Sequence, residues 1–353
     1  MSAKMPCVHV GYAGWSIPRQ YAERFPEQGT HLERYAQRLP AVEINSSFYR
    51  PHRPATYARW AALVPEPFTF AIKVPKEITH TRRLRDVAVP LERFLSESSA
   101  LGTRLGPLLV QLPPSLRFDA AVVEGFFSML RAHFSGSVVC EPRHASWFTT
   151  GTERLLQTAQ VARAAADPAL VPEAAQPGGW PGLVYYRLHG SPEMYASTYS
   201  ASYLEKFAQQ LHLSIQAVPA WCIFDNTALG AATANALDLC TGLSERGQEQ
   251  TLLFVLSVGL AGVIHDPKGK LPTLWDALAF TGTGPDAWGE KLNCLFLRQQ
   301  RGSSQASRLP SSACRCASAG CAESAPQCPI YGALSAGSPS NQRKRASLID
   351  QRW

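Results

Sequence analysis

The sequence predicts an α/β protein: a closed (β/α)8 barrel followed by a C-terminal extension. Three observations point there. Eight short β-rich runs recur before residue 245, with amphipathic segments between most of them, the grammar of right-handed βαβ units with parallel strands. Eight such units in about 240 residues match the size of a closed barrel. Nearly every run also ends in a polar or ionisable side chain on the face that alternation points inward. An open doubly wound sheet would normally carry a glycine-rich phosphate turn after its first strand, and GYAGWS at 11–16 does not match G-x-G-x-x-G.

The elements follow in order. Cys7–Tyr12 is the first run, and the amphipathic His31–Leu39 comes after it. In Ala41–Asn45, Val42 and Ile44 face the helices, so Glu43 and Asn45 face the axis. After helix-like Ala55–Val64, the run Phe68–Val74 turns Ala71 and Lys73 inward. Leu91–Leu101 leads to Pro107–Leu112, with Leu109 and Gln111 inward. Ala120–His133 leads to Ser137–Glu141, with Val139 and Glu141 inward. Glu153–Ala159 precedes Val161–Asp167, where Ala165 and Asp167 are expected inward. Leu183–His189 turns Tyr185, Arg187 and His189 inward. Ser200–Leu213 precedes Pro219–Asp225, with Ile223 and Asp225 inward, and the alanine-rich Ala231–Leu239 closes the series as a helix.

Beyond residue 245 the pattern changes. Residues 246–298 hold one apolar run, TLLFVLSVGLAGVI at 251–264, and then pieces broken by proline and glycine. At 14 residues that run is too short to cross a bilayer, which takes about 20. Residues 299–353 are rich in Ser, Ala, Gly and Arg and are expected to be disordered, because such a segment buries too little apolar surface to offset its ordering entropy. Cys314, Cys316, Cys321 and Cys328 in that tail fit no standard C-x2-C zinc spacing. From Arg246 onward, twelve Lys/Arg against seven Asp/Glu carry +5 of the net +7, so the basic balance belongs to the extension and says little about nucleic-acid binding by residues 1–245. MSAKMPCVHV lacks the apolar stretch and cleavage site of a signal peptide, and the nine cysteines are scattered, so a soluble cytoplasmic protein with no membrane partner is expected. Composition does not set the oligomeric state.

Burying a lone charge costs several kcal/mol unless it is paired. A ring of Glu43, Lys73, Glu141, Asp167, His189 and Asp225 at the strand C-terminal ends, where barrel active sites lie, is therefore the candidate catalytic set. Asn45, Tyr49, Lys76, His80, Gln111, Arg143, His144, Trp147, Arg187 and Asn226 extend it as candidate substrate-binding residues. The plainer alternative is a set of interior ion pairs with no catalytic duty. Two mechanisms suit the ring. In one, Glu43, Glu141, Asp167, His189 and Asp225 hold a divalent metal that activates water, with Arg187 or Lys73 balancing a phosphate. In the other, which the residues favour, no metal is involved. Glu141 or Glu43 is the base, its pKa raised by crowded like charges, Lys73 or His189 is the acid, and Arg187 and Arg143 clamp an anion. The basic loop THTRRLRD at 79–86 reads either as a phosphate grip or as a solvated loop of surface ion pairs. Trp15, Tyr49 and Trp147 read as stacking platforms or as barrel caps.

GWSIP (14–18), VEINSSFYRP (42–51), FTFAIKVPKEITH (68–80), LGPLLVQLPPSLRF (105–118), EPRHASWF (141–148), YYRLHG (185–190) and IFDNTALGAATANAL (223–237) resemble, in order and spacing, the YecE-like proteins, domain-of-unknown-function family 72. The resemblance covers roughly residues 7 to 243. It implies a TIM barrel, and through a suggested likeness to endonuclease-IV-type barrels it implies nucleic-acid or phosphate-ester ligands. It carries no settled activity. The chain departs from the family pattern in the alanine-rich VARAAADP with its Arg163, and in NTALG after Asp225. The expected function is thus an enzyme, in the narrower form a hydrolase, acting on a small anionic, phosphate-containing ligand. The alternatives are an endonuclease-like nucleic-acid binder and a non-catalytic metabolite-binding module.

Overall fold

The computed structural model describes residues 8–214 and 218–246. The apolar run 251–264 and the cysteine-bearing tail lie outside the described residues. The strands are β1 (Val8–Tyr12), β2 (Ala41–Ile44), β3 (Thr69–Lys73), β4 (Leu105–Gln111), β5 (Val138–Glu141), β6 (Val161–Arg163), β7 (Ala165–Asp167), β8 (Gly178–Gly179), β9 (Val184–Leu188) and β10 (Ala220–Phe224). The α-helices are α1 (His31–Ala36), α2 (Ser46–Tyr49), α3 (Pro54–Ala62), α4 (Ala88–Ser98), α5 (Ala120–His133), α6 (Thr150–Thr158) and α7 (Ala201–Ser214), and a further helix runs over residues 231–246. Each β-rich run of the sequence contains a strand, because alternating apolar positions bury well in a sheet covered by helices. Helix starts follow cap chemistry: Thr30 and Glu33 make a reciprocal capping box on α1, while Asp119 caps α5 and Thr149 caps α6. Among the described residues no helix is long and apolar enough to cross a membrane.

The architecture is mixed α/β with parallel sheets. Strands β1, β10, β9 and β7 form one sheet in that order. Strands β2 to β6 form the second, consecutively and in parallel, and β8 adds antiparallel to β6. Among the described residues the closed ladder expected from the sequence is not found. Two local features interrupt it. Between β1 and β2 the Tyr35 hydroxyl intervenes, accepting from Tyr12 N at 3.1 Å and donating to Ala41 O at 2.7 Å. Gly11 permits this approach, since a Cβ there would lie 2.1 Å from Ala41 O. Among the described residues, a parallel bridge between Ala13 and Glu43 links these edges directly. At the other edge, β8 occupies the free side of β6, with Gly179 at φ +66°. The chain passes from β6 into β7 through Ala164, whose N–H donates to Cys140 O at 2.9 Å.

The core has two layers. The larger one lies between strands and helices and includes Val42, Ile44, Phe70, Ile72, Val110, Phe127 and Phe224. A second, smaller cluster collects side chains from the opposite strand faces: Ala41, Ala71, Leu109, Val139, Ala162, Ala164, Tyr185, Trp221 and Ile223. The expected inward positions Ala71, Leu109, Val139, Tyr185 and Ile223 all belong to it. Strand six is the exception. Ala162 and Ala164 join the small cluster, whereas Val161 and Ala165 join the helix-side core. The inward assignment of Ala165 and Asp167 is therefore one residue out of phase, which moves a side chain to the other face.

Arg163 shares that outer face. It is 5% exposed and its Nε donates to Glu153 of α6, which also accepts from Gly179 N. Replacing Glu153 by alanine leaves the buried Arg163 with carbonyl partners, Glu173 O and Gln176 O, but without its carboxylate, and leaves the Gly179 N–H without its acceptor. A loss of about 2–3 kcal/mol in urea unfolding is expected, and an unchanged midpoint would refute the role of this pair in holding β8.

Candidate active site

The second layer ends, at the C-terminal ends of the strands, in charged groups. Glu43, Glu141, Arg187 and His189 are fully buried, and Lys73 and Asp225 keep 9% exposure each. Arg187 is the centre. Its Nε and Nη2 donate to Glu43 at 3.1 and 2.6 Å, Nη1 donates to Glu141 Oε2 at 2.7 Å, and Nη2 also donates to Asp225 Oδ2 at 3.0 Å. The Tyr185 hydroxyl donates to Glu43 Oε2 at 2.9 Å. His189 lies between Asp225 Oδ2, 3.1 Å from Nδ1, and Glu141 Oε1, 3.0 Å from Nε2. Arg143 donates from Nε to Glu141 Oε1 at 2.6 Å, and its Nη2 lies 2.9 Å from His189 Nε2. Arginine has no acceptor. With Nδ1 donating to Asp225, Nε2 meets a donor in Arg143 and an acceptor in Glu141 and can satisfy one of them at a time: accepting, it pairs with Arg143; donating, it pairs with Glu141.

The electrostatics follow from this packing. Burial alone would raise the Glu141 carboxyl, but Arg143, Arg187 and His189 outweigh it and hold the pKa well below the usual carboxylate range. Asp225 is likewise lowered: burial opposes, and Arg187 and the His189 hydrogen bond prevail. The expectation that crowding raises a carboxylate pKa is corrected at these two residues, because guanidinium groups stand between the acids. Neither is a free base. Arg187, which burial would deprotonate, is held well above its ordinary value by Glu43, Glu141 and Asp225.

Lys73 differs from the rest. Among the described residues its Nζ has no ion-pair or hydrogen-bond partner in the structure. It sits over the face of Phe48, 4.1 Å from the ring centroid. Burial, and next the positive charge of Arg187, push its pKa down to about 8, against the opposing pull of Asp225, Glu43 and Glu141. Phe48 comes from α2, the short helix after β2, and its ring meets the edges of Tyr49 at 5.0 Å and His80 at 4.9 Å.

The other residues singled out in the sequence divide. Asn45 and Gln111 are half-buried at the strand ends, and Asn45 Oδ1 is a buried atom without a hydrogen-bond partner among the described residues. Tyr49 and Lys76 are exposed, and His80 is half-buried, with Nδ1 2.9 Å from the Thr79 hydroxyl. Asp167 leaves the ring. It lies on the outer strand face with Ala165, its backbone carbonyl accepts from His189 N, and its charge raises the Tyr199 and Tyr203 hydroxyls after burial has done so. Arg187 is not free to clamp a ligand, because its donors already meet three carboxylates. Trp147 is fully buried and donates Nε1 to Leu116 O at 2.9 Å, so it offers no stacking face. His144 Nδ1 caps the turn after it by accepting from Ser146 N. Asn226 is buried, with Nδ2 donating to Ser197 O and Asn235 Oδ1. In the 79–86 loop, Arg82 pairs with Glu77, Arg85 pairs with Asp119, and Arg83 donates to Ser115. Trp15 packs edge-on against Trp60.

Three contributors lie outside the candidate set. Tyr185 is foreshadowed by alternation, two residues before Arg187. Phe48 has no sequence signal as the neighbour of Lys73. Tyr195, whose ring lies 5.7 Å from His189, sits in an irregular loop at φ +69°. A divalent metal does not fit these residues: Glu43, Glu141 and Asp225 gather around the Arg187 guanidinium, and among the described residues no group of three or more His, Cys, Asp or Glu is placed to hold a metal ion.

A family model described as a protein of unknown function, DUF72, matches residues 9–254. The UPF0759 protein YecE of Escherichia coli K12 is 29% identical over 147 residues, 41% of this chain and 52% of YecE, so the chain spans about half the length of the curated relatives it matches. Two crystal structures of DUF72 family proteins share the fold. The Enterococcus faecalis V583 protein has a TM-score of 0.57 at 22% identity, covering 67% of this chain and 96% of its own. The Thermotoga maritima MSB8 protein has a TM-score of 0.57 at 24% identity, covering 67% and 99%.

Proposed function

For a chain that belongs to the DUF72 family, we propose an enzyme of acid–base chemistry whose active site is the mouth at the strand C-terminal ends and whose ligand is a small anion, phosphate-bearing in the first instance. The two sheets are read as one (β/α)8 barrel with seams at Tyr35 and at β8, its polar end facing the ligand. The reading is carried by Lys73, a buried amine at the rim that the other charges leave unengaged. Glu43, Glu141 and Asp225 already contact Arg187, Arg143 and His189, so Lys73 is the buried basic group of this cluster that has no ion-pair partner among the described residues. An amine with pKa near 8 binds an anion when protonated and takes a proton when neutral. The carboxylates and Arg187 then act as a fixed electrostatic frame. A hydrolase using Lys73 as base is the narrower form. Nucleic-acid binding finds less support, because the arginines of the 79–86 loop are engaged at the surface. The free thiols Cys140, Cys222 and Cys240 suit a reducing, cytoplasmic setting.

Inorganic phosphate tests the reading. It is expected to raise the melting temperature of the full chain in a saturable way, by the equivalent of about 2.7 kcal/mol at a hundredfold excess over Kd. The increment should vanish in Lys73→Met. Equal stabilisation of both proteins, or of neither, would remove the anion site.

A further inference from the structure

We infer that Lys73 is a nucleophile: its side-chain amine condenses with the carbonyl carbon of a small anionic aldehyde or ketone and holds it as a protonated imine. This rests on the reading of the mouth as the ligand site and names its substrate class.

Three observations converge. First, Lys73 is nine-tenths buried at the end of β3, yet among the described residues no carboxylate and no hydrogen-bond acceptor engages its Nζ. A lysine buried for structural reasons is normally paired, since an unpaired buried charge is costly. Second, the nitrogen stands over the Phe48 ring at 4.1 Å, a contact that favours a cation without consuming an N–H. Third, the charge balance constrains the chemistry. Glu43, Glu141 and Asp225 all pull a positive charge toward the lysine nitrogen without pairing with it. Acylation would erase that positive charge, whereas an iminium keeps it in place over Phe48. The low pKa supports the same reading, because roughly a tenth of the amine is unprotonated at pH 7, against well under a thousandth for an ordinary lysine.

The step balances without a co-reactant. The neutral amine attacks the carbonyl carbon, the C–N bond forms, and the carbonyl π pair takes a proton to give a carbinolamine. Loss of that hydroxyl as water, with the nitrogen lone pair forming the C=N bond, leaves the iminium. Overall, ammonium and carbonyl become iminium and one water. The iminium withdraws electrons from the adjacent C–H or C–C bond, the usual purpose of an imine-forming lysine.

The full chain is incubated at pH 7 with glyoxylate and sodium cyanoborohydride, then read by intact mass and peptide mapping. Lys73 should acquire the carboxymethyl group about tenfold or more faster than the exposed Lys76 and Lys206. Its rate should rise between pH 7 and 8 and level off above 8, while theirs continue to climb. Labelling of Lys73 no faster than of Lys76 and Lys206 overturns the inference. Because wild-type protein is read position by position, the result does not depend on a variant folding. If phosphate stabilises the protein through Lys73 but no Lys73 adduct forms, the anion site stands and the imine falls. If phosphate does not bind and Lys73 is not labelled, both fall.

Discussion

Replacing Arg187 by methionine should lower the stability of the protein by about 3–5 kcal/mol, a fall of about 10 °C or more in melting temperature. The substitution is close in volume but leaves Glu43, Glu141 and Asp225 facing one another without their shared cation. Lysine should recover only part of the loss. Its single ammonium cannot reproduce the contacts at 2.6, 2.7, 3.0 and 3.1 Å made by Arg187. Neutralising the acids as well, in the combination Glu43→Gln, Glu141→Gln and Arg187→Met, should return more of the stability than lysine does. A melting temperature for Arg187→Met within 2 °C or so of wild type would mean that the acids are not held around this residue. The acid limb of the stability curve supplies a second reading. Glu141 and Asp225 have folded pKa values below their unfolded values. Between the two values the unfolded chain binds more protons, so their contribution is present above the ordinary carboxylate range, near pH 4, and fades as pH falls through the folded values. Without Arg187 that protection weakens, and acid unfolding should begin at higher pH.

Lys73→Met should do the reverse and stabilise the protein. The folded pKa is about 8, against 10.5 for the free side chain. Between these values the unfolded chain carries a proton that the folded chain has lost, so the Lys73 contribution becomes more favourable as pH rises from 8 to 10.5. Below pH 8 the residue costs up to about 3 kcal/mol, the free-energy equivalent of that shift. Methionine removes the penalty while retaining the contact with Phe48. The quantity to measure is the difference between variant and wild type as a function of pH. The buried thiols Cys140 and Cys222 and the Tyr185 hydroxyl have raised pKa values and tilt both curves the other way. The difference should be largest at pH 7 and shrink toward pH 10.5. A variant less stable than wild type at pH 7 would show that Lys73 has a partner in the fold, and its assignment as the functional amine would lose its basis. A residue that costs stability where apolar atoms would serve better is characteristic of a working site.

The helices and strands were legible because local chemistry specifies them. Thr30 with Glu33, and Asp119, mark helix starts, and alternation in AVEI and TFAIK predicts which residues go inward. The same alternation brings Glu43, Lys73, Glu141, Arg187, His189 and Asp225 to one end of the strands. It fails in VARAAADP, where a run of alanines carries no contrast between faces. There the phase is set by Arg163 reaching Glu153 on α6, ten residues earlier in the chain. The division of the strands into two sheets was not legible either, since it depends on the Tyr35 hydroxyl and the Gly178–Gly179 strand arriving from outside the runs they interrupt.

From the sequence alone one can determine that the chain is built from α/β units, and that acids and bases gather at one end of its strands. Which of those charges are neutralised and which remains available depends on distances between residues up to 144 positions apart, such as Arg187 and Glu43. Coulomb interactions and desolvation act through space, so only the folded arrangement separates the engaged Arg187 from the unengaged Lys73.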